Sequence, residues 1–236
     1  QIVVSRTLTL NGAASYVDLA VTATAEGDEA GTLARWTPVT IEPQGNPGLS
    51  TGAKEGVLVN DFGCAKIVGI AGRTVATATS GCGIVIDFGI VTYISGNVVT
   101  TTGHGILVQD AVCFEVVGDQ TTASGNGIRN DGWMGTVTGN QKATSGKAFN
   151  FYGGSVELLT GDQEATTGDA LYLMNGVIKK AVGNQLATGD AGRALFNASG
   201  TITELIGNQT ATGDGGYALK NNSGLISELT GNQTAT

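Results

Sequence analysis

Residues 207–230 read GNQTATGDGGYALKNNSGLISELT, and residues 231–236 begin the phrase again as GNQTAT. Three short runs, NQTAT, YALK and LISEL, are separated by Gly, Asn and Asp. Each run is too short for a helix and is bounded by turn residues, which is the signature of a strand. A unit of this size cannot bury its apolar side alone. Stacked on copies of itself, it sets each strand above its equivalent at about 4.8 Å and shares one continuous core.

The same phrase extends upstream. Gly183 opens GNQLATGDAGRALFNASGTITELI, Gly161 opens GDQEATTGDALYLMNGVIKKAV, and Gly139 opens GNQKATSGKAFNFYGGSVELLT. Further back the frame drifts: copies open at Gly118, Gly96 and Gly72, and a looser one of 27 residues at Gly45. The chain therefore predicts an all-β fold, a parallel three-faced β-solenoid of about eight 21–27-residue coils over residues 45–236. At strand spacing the coils make a core about 38 Å long. Leucine-rich repeats share the period, but no copy carries L-x-x-L-x-L-x-x-N.

On this period and strand pattern the chain resembles the parallel β-solenoid repeat proteins, many of them extracellular or on cell surfaces. Residues 1–44 fall outside the frame. Thr7–Leu10 and Val17–Val21 alternate, Asn11-Gly12 is a hairpin-type turn, and Val39 and Ile41 suggest another strand. Pro38, Pro43 and Pro47 cluster at the junction. A proline cannot donate to a ladder, so 1–44 is expected to be a β-rich cap on the first coil.

Composition narrows the function. Only 14% of residues are charged and 38 of 236 are Gly, which excludes a charge-rich disordered tail. A net charge of −8 argues against a nucleic-acid partner, and no apolar run is long enough to span a membrane. Cys64, Cys82 and Cys113 lack C-x-x-C spacing and stand at unlike offsets in their coils. They are expected to form no intrachain disulfide, and at most an intermolecular one. A first residue other than Met is read as the start of a processed, exported chain.

Stacking turns positions into columns. In N-Q-x-A-T, alternation sends Ala143, Ala165, Ala187, Ala211 and Ala235 inward, with Ala78 upstream. By the same parity Gln120, Gln141, Gln163, Gln185, Gln209 and Gln233 face inward and are expected to form a structural amide ladder. Two columns face outward. One is Thr79, Thr102, Thr144, Thr166, Thr188, Thr212 and Thr236, with Ala123 as an exception. The other is Thr77, Thr100, Thr121, Lys142, Glu164, Leu186, Thr210 and Thr234. A T-x-T array resembles the face of ice-binding solenoids, whereas Lys142 and Glu164 interrupt it and Thr is in any case a good strand residue.

Asp61, Asp87, Asp110 and Asp131 each follow the second run, with Asn197, Asn221 and Asn222 near there in later copies. Carboxylates on neighbouring coils suit Ca²⁺ or a glycosidase pair. Asp and Asn before Gly equally suit a turn, and these four are only weak metal candidates. Gly103-His104-Gly105 matches one motif of a pectinolytic β-helix family, but that family's Asn-Thr-Asp, Asp-Asp and Arg-Ile-Lys motifs are absent. The aligned triplets Gly81-Cys82-Gly83 and Gly125-Asn126-Gly127 make His104 an exposed corner residue in this reading. Asn197, Asn208, Asn221 and Asn232 open glycosylation sequons.

The expectation is a structural, non-enzymatic protein without cofactor: a self-assembling, head-to-tail homopolymer in an extracellular filament, sheath or surface layer. The alternatives are a surface binding module for ice or glycan, or a phage fibre or capsid-decoration protein.

Overall fold

The computed structural model describes residues 82–87 and 90–236, with side chains throughout except at Asp87. Upstream of Cys82 it describes only the backbone of the strands, which lie between Thr7 and Ala78. The fold is an all-β parallel solenoid of about 7 turns with coils of about 22 residues, and no helix occurs among the described residues. In the loose copy that opens at Gly45, Gly48–Thr51 and Val57–Asn60 pair in parallel with Lys66–Ala78 and Ile84–Asp87, and the residues between them lie outside the described ones.

Each coil supplies three strands, and each strand stacks on its equivalent in parallel. The first face carries the G-[N/D]-Q run, as in Gln163–Thr167, Gln185–Ala187 and Gln209–Ala211. The second carries Asp169–Leu173, Arg193–Asn197 and Tyr217–Asn221. The third carries Val177–Val182, Thr201–Ile206 and Leu225–Thr230. In Gln120–Asn130 and Gln141–Phe151 the first and second faces belong to one unbroken bent strand. The register is strict: Gln141 pairs with Gln163, Phe149 with Leu171, and Val156 with Ile178.

The three inward faces meet in one core. Ile128, Phe149, Leu171 and Leu195 stack along the second face, and Met134, Val156, Ile178 and Ile202 along the third, all fully buried. Phe149 and Phe151 fill one coil as a stacked pair, with ring centroids 4.6 Å apart. Sequence parity exposes either Ala170, Ala194 and Ala218 or the leucines beside them, yet both columns are buried apart from a half-buried Leu219 at the last described coil. The reason is the corner. An added Cβ at Gly105 or Gly127, the equivalent position upstream, would lie 3.5 or 3.4 Å from Cβ of Gln120 or Gln141. This position faces the glutamine column across the corner and holds Gly or Ala in every coil from Gly83 to Ala218. At Gly105 and Gly127 a Cβ would also strike the next coil's backbone carbonyl, that of Gly127 or Ala148.

Upstream, Thr7–Gly12 and Ser15–Ala20 form an antiparallel hairpin in which Asn11 pairs with Tyr16 and Gly12 with Ser15. Asn11-Gly12, read as the turn, is therefore strand, and residues 13–14 lie outside the described residues. Val39–Ile41 pairs in parallel with Lys66–Ala78, so the stacked sheet already includes a strand that the sequence reading assigned to the cap.

Candidate functional site

The chemistry of the G-[N/D]-Q corner is now explicit. Its glycine takes positive φ, +127° at Gly161 and +145° at Gly207, in contact with the glycine of the coil before it. A side chain there would be strained and would strike that backbone carbonyl. The Asn or Asp that follows caps the next coil. Asp119 Oδ1 accepts from the backbone N–H of Asn140 at 2.8 Å, and Asn140 Oδ1 from that of Asp162 at 2.9 Å. Asp162 then accepts from Asn184 at 2.7 Å, Asn184 from Asn208 and Asn208 from Asn232, both at 3.0 Å. This exposed ladder went unseen in the sequence reading. Its signal was a position that holds only Asn or Asp from Asn97 to Asn232.

The glutamines form the second ladder. Nε2 of Gln141 donates to Oε1 of Gln120 at 3.1 Å, and the bonds continue through Gln163, Gln185 and Gln209 to Gln233 at 2.8–3.0 Å. The other amide hydrogen bonds the carbonyl of the coil's own corner glycine, as from Gln163 to Gly161 at 2.6 Å. Gln120 to Gln209 are buried, and both hydrogens of each amide from Gln141 onward are satisfied.

Register corrects the threonine columns by one residue. Thr100 pairs with Ala78 and Thr122, so it stands in the inward alanine column and is 3% exposed. Val99, exposed, takes the outward place beside Thr121. Thr102 pairs with Ser124, not with the column of Thr144, Thr166, Thr188, Thr212 and Thr236. Alignment by threonine identity misplaces both, because Val98 stands where later coils have Gln. Lys142 and Glu164 form an ion pair at 2.7 Å across the outward column. Beside it lies an open depression of about 300 Å³ lined also by Asp119, Asn140 and Asp162.

The acidic positions do not form one column. Asp87 pairs with Gln109, leaving Asp110 one step beyond, in a turn at φ +45°. Asp131 is held by Arg129 at 3.0 Å, and Asp61 lies outside the described residues. No group of three acidic, His or Cys side chains converges on a point among the described residues. Asn130, Asn197 and Asn221 are turn braces. Asn197, fully buried, accepts from the Gly200 N–H at 2.9 Å and donates to its carbonyl at 3.1 Å. Of the sequons, Asn208, Asn221 and Asn232 are exposed and Asn197 is not.

His104 is half-buried rather than exposed. Its Nδ1 accepts from the backbone N–H of Asn126 at 3.3 Å and stands 3.2 Å from Asn126 Nδ2. Burial first, and then the positive charge of Arg129, lower its pKa to about 4. Cys113 is buried and unbridged, and burial pushes its thiol up to about 12. It stacks with Val91 and Met134 and acts as a small apolar side chain. Cys64 lies outside the described residues.

The outer side of the second face was missed because its partners come from different coils. Arg193 clamps Asp169 of the coil before it at 2.5 and 2.8 Å, and its guanidinium lies 3.9 Å from the ring centre of Phe196. Lys147 covers Tyr172 at 4.5 Å, and Lys220 lies 5.1 Å from Tyr217 and 5.6 Å from Phe196. Comparison of the chain with protein-family models, curated proteins and solved structures finds no match.

Proposed function

We propose that this is a structural, non-enzymatic repeat protein, a self-assembling subunit of an extracellular filament, sheath or surface layer. The observation that carries the reading is the pair of one-directional ladders. From Gln141 to Gln233 every Nε2 donates back to the preceding coil, and from Asp119 to Asn232 every corner N–H does the same. The polar groups that recur in each coil are thus spent on holding the next coil rather than on a reacting centre.

The stacking of the coils also favours one mode of assembly. Head-to-tail stacking of two solenoids continues the parallel backbone pairing from coil to coil, while the side-chain ladders themselves begin inside the chain, at Gln120 and Asn97, with Val98 and Ala76 upstream in the glutamine column. Tail-to-tail stacking sets acceptor against acceptor. A head-to-tail contact is heterologous and does not close, so it propagates into a filament.

Negative-stain electron microscopy of the purified chain tests this reading. Unbranched filaments that lengthen with protein concentration support it. Separate short rods at every concentration overturn it.

A further inference from the structure

We propose that the second face of the C-terminal coils binds a linear acidic polysaccharide, a polyuronate chain lying along the solenoid axis. Charge points to this face. Among the described residues, Lys142, Lys179 and Lys180 on the other faces are each paired with a glutamate, at 2.7, 2.6 and 2.9 Å. Arg129 and Arg193 are paired with Asp131 and Asp169. Lys147 and Lys220 alone have no carboxylate partner, and both stand on the second face, against aromatic rings. In a chain of net charge −8, the two cations without a carboxylate partner among the described residues share one surface.

Between them the face is aromatic. Tyr172 and Phe196 stand on successive coils with ring centroids 5.2 Å apart, Phe196 only 9% exposed beneath Arg193, while Tyr217 at the start of its strand and Tyr152 in the turn after Phe151 are each 50% exposed. The accessible rings, Tyr152, Tyr172 and Tyr217, stand at three different columns of neighbouring coils, and each presents to a pyranose C–H face an apolar body with a polar tip. A third observation is independent of both. Asn150 stacks between Arg129 and Tyr172, is 7% exposed, and its Oδ1 has no hydrogen-bond partner. A buried acceptor left unpaired calls for a donor, and a sugar hydroxyl is one.

Lys147 and Lys220 are three coils apart, about 14 Å along the axis at strand spacing, and stand three residues apart across it, because Lys147 shares its column with Tyr217. Carboxylates a few sugar units apart on one extended chain span that distance. Single-stranded nucleic acid also stacks on aromatic rings, but it needs a track of cations, and here two are unpaired while Asp190 and Asp214 occupy the adjoining corner.

The test is affinity electrophoresis of the full chain through native gels containing polygalacturonate, with dextran as the neutral control. Polygalacturonate is expected to retard the protein and dextran is not. The double variant K147Q/K220Q, with an unchanged circular dichroism spectrum, should bind about ten-fold more weakly. Lys142→Gln, on the first face, should bind as the parent does. The proposal is overturned if polygalacturonate causes no retardation, if K147Q/K220Q binds as tightly as the parent, or if oligothymidylate binds more tightly than polygalacturonate.

Discussion

Nε2 of Gln185 donates to Oε1 of Gln163 across 2.8 Å in the buried interior, and Gln163 donates in the same sense to Gln141 at 3.0 Å. Each amide is at once a donor to the coil before it and an acceptor for the coil after it. The interior therefore holds a polar spine beside its apolar core, and no link in the middle of it can be removed singly without orphaning two neighbours.

That coupling fixes the first expectation. Gln163→Leu leaves Gln141 Oε1 without its donor, Gln185 Nε2 without its acceptor, and the Gly161 carbonyl unpaired by an amide. The expected loss is about 3 kcal/mol, measured by urea denaturation. A loss under about 1 kcal/mol contradicts a cooperative ladder.

The exposed corner demands less. Asp162 accepts from the Asn184 backbone N–H at 2.7 Å and from Asn184 Nδ2 at 3.1 Å. Asp162→Asn keeps an acceptor there and should leave the thermal midpoint nearly unchanged. Asp162→Ala removes it and should cost about 1 kcal/mol. Equal melting of the two variants would show that the cap contributes nothing.

Sequence and structure agree best where the corner motif is intact. From Gly139 onward G-[N/D]-Q fixes the phase, and the inward Gln and Ala columns follow from alternation alone. Upstream the motif decays. Val98 stands in the glutamine column, and alignment by threonine identity slips Thr100 and Thr102 by one place. Asp110 lies five residues after Gly105 and Asp87 four after Gly83, so a count from the glycine groups them, although Gln109 is the partner of Asp87. Strict alternation also fails where the backbone bends, as at Ala170 and Leu171, which both point inward. The Arg193–Asp169 clamp joins residues 24 apart, and its partners become visible only once the register is known.

That clamp gives a third expectation. Asp169 is 2% exposed, and Arg193 is its ion-pair partner. Arg193→Met leaves a buried carboxylate uncompensated and should cost about 3 kcal/mol in chemical denaturation. Replacing both members, as R193M/D169L, should recover most of that loss. A double variant no more stable than Arg193→Met would contradict the assignment.

His104 contributes to the response to acid. Its folded pKa, lowered to about 4 by burial and the nearby Arg129 charge, lies below the unfolded value of about 6.5. Between these values the unfolded chain binds more protons, so stability is fully present above about pH 6.5 and falls as pH drops toward 4. His104→Asn, which copies Asn126 of the next coil, should flatten this part of the stability–pH curve. An unchanged slope between pH 6.5 and 4 would rule out His104 as its source.

The central claim is axial, head-to-tail stacking, and fibre diffraction from aligned protein tests it most directly. The account predicts ordered fibres with a reflection near 4.8 Å on the meridian, because the strands then run across the fibre and coils stack along it. The same reflection on the equator would place the rods across the fibre, joined side by side, and would contradict the account.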